Sequence, residues 1–357
     1  MLKKGGGGVR GMKLKMSRET KKLFRVRRKF NPMSLVVPLL LVLLLVCAVV
    51  YDNSRIVVDE VRFSMPTLPK DMEGTAILHI SDIRDRQFGE DGENLARALE
   101  DYDYDLVVMT GDVLGTDGDT TGFYQALDYF AAQGKPVYFI TGDNDPPATC
   151  TRQDGSFGPA DWVEAAQSRG AAYLDVPVAI SEGDTRLWLM PASALVLDTA
   201  SSISSLYGRL ADETLDDETV QSILYRKARY QVFADKMEER QHNDLTVMLT
   251  HMPCLDPSLQ SESSTAIFGE ADLILAGHHL GGQICLPFIG ALKAENAQLP
   301  RGGWFPESRY LTGLHEVSAT YQYVSTGLGT TYGGLLNFRL WNPPQISIIT
   351  LTRQVEA

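Results

Sequence analysis

The stretch LVVMTGD, residues 106–112, joins a short apolar run to a glycine and an acidic residue. A short apolar run bounded by polar residues is typical of a buried strand in a parallel sheet. Gly111 lets the backbone turn sharply after the strand, so that the Asp112 carboxylate points over the sheet edge. The stretch therefore predicts an α/β fold with a functional residue where this strand ends.

Apolar runs of the same kind alternate with helical stretches along most of the chain. We predict strands over residues 76–80, 106–110, 137–141, 186–190, 245–250, 273–276, 321–325, 336–340 and 346–351. Helices are predicted around 95–99, 123–132, 162–169 and 216–241, the first because Leu95, Ala98 and Leu99 share one helix face. Successive β-α-β units imply strands that end at a common edge, where ligands bind.

Acidic and histidine residues follow five of these predicted strands. They are Asp82, Asp112, Asp143, His251 and His278, with Asp145 and His279 close behind. Taken singly, an aspartate after a strand commonly caps a helix, and a histidine is more often a packed or surface residue than a ligand. Five such ends at one sheet edge favour a metal site, because carboxylates and imidazoles are ligands for Mn, Fe and Zn.

Taken in order, these motifs resemble those of the calcineurin-like metallophosphoesterase superfamily. The matching segments are Asp82, Gly111-Asp112, Gly142-Asp143-Asn144-Asp145, His251 and Gly277-His278-His279-Leu280-Gly281-Gly282-Gln283. The last is most similar to the G-H-T-H-G-G-Q motif of a membrane-linked bacterial branch, and the likeness covers about residues 74–352. The resemblance implies a four-layer αββα sandwich in which two divalent metals, bridged by an aspartate, hydrolyse phosphoester or pyrophosphate links.

Three motifs depart from the family pattern. The family's first motif is D-x-H, but Arg84 stands at the histidine position. The family's G-H-x-H motif ends here in Leu280. In the family's G-N-H-D/E motif, Asp143 and Asn144 replace the asparagine and the histidine. The family's site residues can therefore be carried over only in part.

The departures fall mainly on one of the two metal sites. By resemblance, the first metal would need Asp82, position 84, Asp112 and position 280, but Arg84 and Leu280 cannot ligate. By the same resemblance, the second metal would bind Asp112, Asp143, His251 and His278. All four of those side chains can ligate, so we expect one divalent metal (Mn, Fe or Zn) rather than two.

Without a first metal, Asp82 and Asp112 would repel each other or take up a proton. A guanidinium is always charged and binds carboxylates through a planar fork. We therefore predict that Arg84 fills the first-metal region and neutralises Asp82. In the alternative interpretation, Arg84 turns to solvent and His279 supplies the missing ligand after a one-residue slip.

Two functions follow from this altered site. In the first, Arg84 and Asn144 act as catalytic residues of a metal-dependent phosphoesterase. Asn144 can donate a hydrogen bond but cannot act as a general acid, and acid–base help typically contributes ~10²–10⁴ in rate. In the second, the chain is catalytically silent and binds a phosphorylated envelope ligand or partner.

The N-terminal region predicts a membrane anchor. Residues 1–33 carry 12 basic residues and one acidic residue, and 34–51 form an uncharged apolar run long enough to cross a bilayer. The basic flank predicts a cytoplasmic N-terminus, a tail on anionic lipid and an extracellular domain at the cell membrane. A cleaved signal peptide, a lipoprotein signal at Cys47 and a twin-arginine signal at Arg27-Arg28 are the competing interpretations.

The predicted organisation is therefore a tail over 1–33, a span over 34–51, a spacer over 52–73 and a phosphoesterase-like domain over 74–357. Beyond the tail, 21 basic and 44 acidic residues give a net charge of −23, which argues against nucleic acid as a partner. We expect instead a phosphorylated small molecule or a lipid-linked substrate. Cys150, Cys254 and Cys285 allow at most one disulfide, whose pairing the sequence leaves open.

Overall fold

The structure is a computed structural model that describes residues 33–192, 199–211, 214–255, 271–294, 299–317, 320–331 and 337–353. Its strands are β1 (Val57–Ser64), β2 (Ala76–Ile80), β3 (Leu106–Thr110), β4 (Val137–Ile140), β5 (Thr149–Thr151), β6 (Phe157–Pro159), β7 (Ala171–Tyr173), β8 (Val178–Glu182), β9 (Thr185–Pro191), β10 (Leu245–Leu249), β11 (Leu273–Ala276), β12 (Cys285–Leu286), β13 (Gly290–Ala291), β14 (Gly313–Val317), β15 (Thr320–Val324) and β16 (Gln345–Thr352). The α-helices are α1 (Met33–Ser54), α2 (Glu93–Leu99), α3 (Thr121–Ala132), α4 (Asp161–Ser168), α5 (Thr199–Leu210) and α6 (Asp217–Glu239).

Two six-stranded mixed sheets form the centre of the fold. The first has the order β1-β16-β2-β3-β4-β7 and the second the order β14-β15-β11-β10-β9-β8. Strands β2, β3, β4 and β7 are parallel, as are β9, β10, β11 and β15. The carboxyl ends of each parallel set therefore lie at one edge of its sheet.

Buried side chains fill both faces of the first sheet. Val107 of β3 packs with Leu95 of α2 and Phe123 of α3. Its neighbour Val108 points the other way and packs with Val247 of β10, between the two sheets. The outer face of the second sheet is buried as well, as at Met248. This is the mixed α/β sandwich that the sequence predicts.

Most predicted elements are confirmed. Eight of the nine predicted strands are present within one residue at either end, and the four predicted helices correspond to α2, α3, α4 and α6. The predicted strand at 336–340 is wrong over its described residues, 337–340; Leu336 lies outside them. Leu340 makes only an isolated bridge with Ile284, because the Arg339 amide is bonded to the Asn53 side chain and not to a neighbouring strand.

The predicted spacer over 52–73 is also wrong, because β1 lies within it. This strand pairs in parallel with β16 along its whole length, from Val57 opposite Gln345 to Ser64 opposite Thr352. Phe63 is buried between the sheets. An edge strand that carries several charged side chains lacks the apolar run that marks the central strands, and its partner is nearly 300 residues away.

Helix α1 contains the predicted span. Its side chains from Leu35 to Val46 are exposed, and it is long and apolar enough to cross a membrane. A signal sequence fits the same observation. Residues 1–32 of the predicted tail lie outside the described residues, and the compact unit that holds both sheets begins at Ala48. Cys150, Cys254 and Cys285 are free thiols.

The role of β1 can be tested at Phe63. Phe63→Ala should lower the free energy of unfolding by about 3–5 kcal/mol, because it opens a cavity between the sheets. Glu60→Ala, at an exposed position of the same strand, should change it by less than about 0.5 kcal/mol. Chemical denaturation of the full chain in detergent measures both. If both substitutions changed the free energy of unfolding by the same small amount, residues 52–73 would again be interpreted as a spacer.

Stability should also depend on pH through His79 of β2. Its Nε2 lies 2.8 Å from Thr110 Oγ1. Burial lowers the pKa of His79 from 6.5 to about 3, against the opposing charge of Asp82. The unfolded chain therefore binds a proton at a higher pH than the folded chain, so stability falls as the pH drops from 6.5 towards 3. His79→Gln should flatten that decline by up to about 1.4 kcal/mol per pH unit; equal slopes in denaturation curves would contradict this.

Candidate metal centre

The predicted site residues come together where strands of both sheets end. Asp82, Asp112 and Asp143 lie just beyond β2, β3 and β4 of the first sheet, and His251 and His278 just beyond β10 and β11 of the second. Two groups of potential ligand atoms form there, Asp143 with His251 and His278, and Asp82 with Asp112 and His251. In each group the atoms lie within 4.8 Å of one another.

The loops that carry these side chains have unusual backbone conformations. Asp82, Arg84, Asp112 and His278 all have positive φ angles, between 49° and 73°. Such conformations cost about 1–3 kcal/mol each in residues other than glycine and cluster at functional sites. Backbone bonds hold them, since Asp82 N donates to Gly111 O and Arg84 N to Asp112 O.

Glycines allow neighbouring loops of the site to approach one another closely. Gly111 has a φ of 87°, and a Cβ there would lie 2.5 Å from Gly142 N. At Gly277 the φ angle does not require glycine, but a Cβ there would collide with the Ser81 hydroxyl. The sequence predicts sharp turns at both positions. The structure adds a second reason for glycine there, which is the close contact with a neighbouring loop.

The first ligand group, around Asp143, is compact and open to solvent. Asp143 Oδ1 lies 2.9 Å from His251 Nε2 and 3.2 Å from His278 Nδ1. The two ring nitrogens are 3.2 Å apart. The side chain of Asp143 is 53% exposed, and hydrogen bonds from both histidines hold its pKa well below the usual range. Two imidazoles and a carboxylate at these distances form a suitable donor set for a divalent ion.

The ring of His251 is oriented by the backbone. Its Nδ1 donates to the carbonyl of Thr110 at 2.8 Å, which leaves Nε2 facing Asp143 and Asp112. A second hydrogen bond of this kind commonly fixes the tautomer of a metal-binding histidine. Burial lowers the pKa of His251, but bonds to Asp112 and Asp143 outweigh it and raise the pKa well above 6.5.

The second ligand group, around Asp82, contains a cation from the chain itself. Arg84 Nη2 lies 3.0 Å from Asp82 Oδ1 and 2.7 Å from Asp112 Oδ2. Both carboxylates are fully buried, and Arg84 is 5% exposed. Arg84 Nη1 donates to the carbonyl of Thr330. The alternative in which Arg84 turns to solvent is therefore wrong.

The other oxygens of these carboxylates are also bonded. Asp82 Oδ2 accepts from the Ser81 hydroxyl at 2.5 Å and from the His278 amide at 2.9 Å. Asp112 accepts from Asn144 twice, through the backbone amide at 3.0 Å and through the side-chain amide at 2.8 Å. Burial raises the pKa of Asp112, but bonds from His251 and Asn144 and the charge of Arg84 outweigh it and set the pKa at about 2.

Neither Leu280 nor His279 belongs to a group of potential metal ligands in the described part of the chain. Leu280 is buried and offers only hydrocarbon to the site. His279 is 4% exposed, its ring meets that of His278 edge-on, and neither of its ring nitrogens has a hydrogen bond. Burial lowers the pKa of His279 to about 3, so it is neutral. The slip that would make His279 a ligand is not seen, because neither ligand group includes it.

A cavity of about 410 Å³ adjoins the centre. Its lining includes Arg84, Asp143, Asn144, His278 and Lys293. Two cations and an amide around a space beside a metal-ligand group can bind the oxygens of a phosphate. Lys293 was not predicted, because a single lysine in a loop carries no signal in the sequence.

Arg339 is a buried residue near the centre that the sequence does not reveal. It is fully buried, and its side chain donates to the carbonyls of Gly329 at 2.7 Å, Thr326 at 2.8 Å and Leu280 at 3.5 Å. Burial lowers its pKa to about 9, while the charge of Asp82 opposes that shift. Arg339 therefore joins the loop after β15, which holds Thr326 and Gly329, to the loop after β11, which holds Leu280.

Solved structures of two other proteins are similar to this chain over most of its length. A solved phosphopantetheinyl hydrolase (PptH) from Mycobacterium tuberculosis is similar at 13% identity, with 76% of this chain and 97% of that chain covered and a TM-score of 0.34. The sulfate thiohydrolase SoxB of Thermus thermophilus, solved with glycerol, is similar at 13% identity over 80% of this chain and 58% of that chain, with a TM-score of 0.33. No match to a curated protein was found.

The family comparison is decisive for the assignment. The family model described as calcineurin-like phosphoesterase matches residues 75–281, which is more than half of the chain. That range contains the strands β2–β4, β10 and β11 and every predicted ligand. The chain therefore belongs to the calcineurin-like phosphoesterase family.

Proposed function

We propose that this chain is a membrane-anchored, outward-facing phosphoesterase of the cell envelope whose centre combines one divalent metal ion with Arg84. The reaction is hydrolysis of a phosphoester or phosphodiester. The observation that carries the proposal is the contact of Arg84 Nη2 with both Asp82 and Asp112, at 3.0 and 2.7 Å. Those two carboxylates are the ones that a first metal would require.

The balance of charge supports one metal rather than two. Asp82, Asp112 and Asp143 carry three negative charges when ionised. One guanidinium and one divalent ion balance them, whereas a second divalent ion would be close to a guanidinium of like charge in a buried site. Uncompensated charge in such surroundings is costly.

The donor atoms support the position of that metal. Asp143, His251 and His278 would hold the ion, and Asp112 Oδ1, which lies 3.4 Å from His251 Nε2, would be a fourth donor atom. Mixed nitrogen and oxygen donors suit Mn, Fe or Zn. When bound, a divalent ion supplies a Lewis acid for phosphate oxygens and lowers the pKa of water.

The chain's own residues have separate tasks in this mechanism. Arg84 and Lys293 bind the phosphate from one side of the cavity, and Arg84 offsets negative charge that develops on the phosphate. Asn144 orients Asp112 and, from its place in the cavity lining, offers an amide to the substrate. His251 is held in one orientation by Thr110.

The helix and the basic tail support the proposed location. We propose that α1 anchors the chain in the cell membrane, that the tail contacts anionic lipid on the cytoplasmic side, and that the catalytic domain is extracellular. A phosphatase acting on phosphorylated small molecules or lipid-linked phosphate fits that location, and nucleic acid does not fit the net charge.

A catalytically silent member of the family is the second candidate. The observation that favours it is the side-chain amide of Asn144. This amide donates a hydrogen bond to Asp112 but is not acidic enough to transfer a proton to a leaving group. Such a protein would retain the phosphate-binding cavity and bind a phosphorylated envelope ligand or partner without turnover.

Metal content and turnover separate these candidates. The purified full chain in detergent should hold about one divalent ion and hydrolyse a chromogenic phosphodiester. His251→Ala should lose the bound ion and the turnover, because it removes a ligand. His315→Ala on β14 should keep both properties. Elemental analysis measures the metal content, and absorbance of the released chromophore measures turnover. Two ions per chain would contradict the role of Arg84, and a bound ion without turnover for any divalent metal would favour the silent protein.

Restoring the two family histidines tests the replacement directly. Arg84→His combined with Leu280→His should raise the metal content from about one to about two ions per chain, because it returns two ligands and removes the resident cation. Leu280→His alone should not, since Arg84 still bonds both carboxylates. A double variant that still binds a single ion would contradict the idea that Arg84 occupies the first-metal region.

A further inference from the structure

Five large apolar side chains are exposed on three segments of the chain, at residues 288–289, 304–305 and 341. We call them the aromatic rim, and they are Phe288, Ile289, Trp304, Phe305 and Trp341. Phe288, at the tip of the β12–β13 hairpin, is completely exposed, and the other four are 46–63% exposed. Exposed aromatic side chains concentrated in this way mark interaction surfaces.

The backbone holds three of these side chains at a cost. Phe288, Phe305 and Trp341 have φ angles of 66°, 47° and 52°. A positive φ in a bulky residue is an outlier, and it costs about 1–3 kcal/mol. Neither the strain nor the exposure stabilises the isolated domain, so the pattern points to a partner that the rim meets.

Hydrogen bonds join the rim segments into one platform. Cys285 of β12 donates to Leu340 O at 3.0 Å, next to Trp341. Leu292 N donates to Ile284 O at 2.9 Å, and Phe305 N donates to Leu292 O at 3.1 Å. The hairpin, the Trp304–Phe305 pair and Trp341 are therefore parts of one connected substructure.

This platform is bonded to the end of the apolar helix. Trp341 N donates to Asp52 Oδ2 at 2.5 Å, and Arg339 N donates to Asn53 Oδ1 at 2.9 Å. Asp52 follows directly after Tyr51, the last residue of the apolar run. If that run crosses a bilayer, Asp52 lies at the surface of the bilayer, and Trp341 lies there with it.

The rim also adjoins the centre. A cavity of about 240 Å³ is lined by Trp304, Ile284 and Leu292 together with Gly282, Gln283, Lys293 and Thr331. The last four residues also line the cavity beside the metal ligands. An apolar pocket thus continues into a polar, cationic one, which matches the two ends of an amphiphile that bears a phosphate.

We propose that the aromatic rim lies in the interface of the bilayer that holds α1, and that the two adjoining cavities take the phosphate-bearing headgroup of a lipid from that bilayer. Trp and Phe rings are favourable at the lipid–water boundary. The exposed cations Lys293 and Arg301 are in the same segments and would be attracted to anionic lipid. The substrate part of this inference rests on the proposed function, and the membrane contact does not.

Tryptophan fluorescence tests the membrane contact without requiring activity. The chain has four tryptophans, of which Trp304 and Trp341 belong to the rim. The full chain is placed in nanodiscs of phosphatidylcholine and phosphatidylglycerol whose acyl chains are brominated near the headgroup. Bromolipid should quench the wild type and Trp162→Phe strongly, and the Trp304→Phe, Trp341→Phe double variant several times less. Equal quenching of all three overturns the membrane contact.

A charge placed on the rim gives a second, independent result. Phe288→Asp combined with Ile289→Asp should reduce the quenching of Trp304 and Trp341, because it disfavours insertion of the hairpin. Leu224→Asp, at an exposed apolar position of α6, is the matched control and should not reduce it. An unchanged signal in the rim variant overturns the proposal, as does crosslinking that shows the rim paired with a second copy of the chain.

The lipid substrate has its own readout. The ratio of turnover for an acyl-chain-bearing phosphodiester in nanodiscs to that for a short soluble phosphodiester should fall about tenfold or more in the rim variant, since loss of contact with the bilayer affects only the lipid. An unchanged ratio overturns the lipid substrate. Absence of turnover with both substrates, while quenching persists, would refute the proposed phosphoesterase and leave the membrane contact standing.

Discussion

The buried guanidinium of Arg84, held between the carboxylates of Asp82 and Asp112, is the interaction on which the centre depends. Both acids are fully buried, so without a cation they would repel each other or become protonated. The loops after β2 and β3 are strained at Asp82, Arg84 and Asp112, by about 1–3 kcal/mol for each residue. Removing one partner of a buried ion pair costs about 3–5 kcal/mol, because the charge that is left behind has no partner.

The remaining half of the centre has a different character. His251, His278 and Asp143 converge from two sheets, and the solvent-exposed carboxylate of Asp143 faces two ring nitrogens. This half places three potential donor atoms beside solvent, whereas the carboxylates of the Arg84 half are fully buried. Lys293 and Arg84 both line the adjoining cavity, and phosphate is the ligand proposed for it. The chain therefore keeps carboxylates and imidazoles at the strand ends, with Arg84 between two of the carboxylates.

The sequence predicted the ligand-bearing strand ends well, because an apolar run followed by Gly-Asp or Gly-His is a local signal. It predicted the edge strand β1 poorly, because Val57–Ser64 becomes a strand only by pairing with β16 at the far end of the chain. Arg339 was missed for a related reason: its three carbonyl partners come from loops that meet only in the folded chain. The backbone strain at Phe288 and Trp341 was equally hidden, since neither residue type is usual at positive φ.

A cation that is part of the chain changes how the centre obtains its positive charge. A metal ion can be withdrawn by a chelator, replaced by a competing ion or oxidised, and each ion must be obtained from the surroundings. Arg84 cannot be chelated, exchanged or oxidised in this way, because it is part of the chain. Its guanidinium keeps its charge over the whole physiological pH range. In the proposed centre, Arg84 supplies one of the three positive charges that balance the carboxylates, so a single divalent ion completes it. The protein would keep its folded shape when metal is scarce, with only the half at Asp143 responding to the supply.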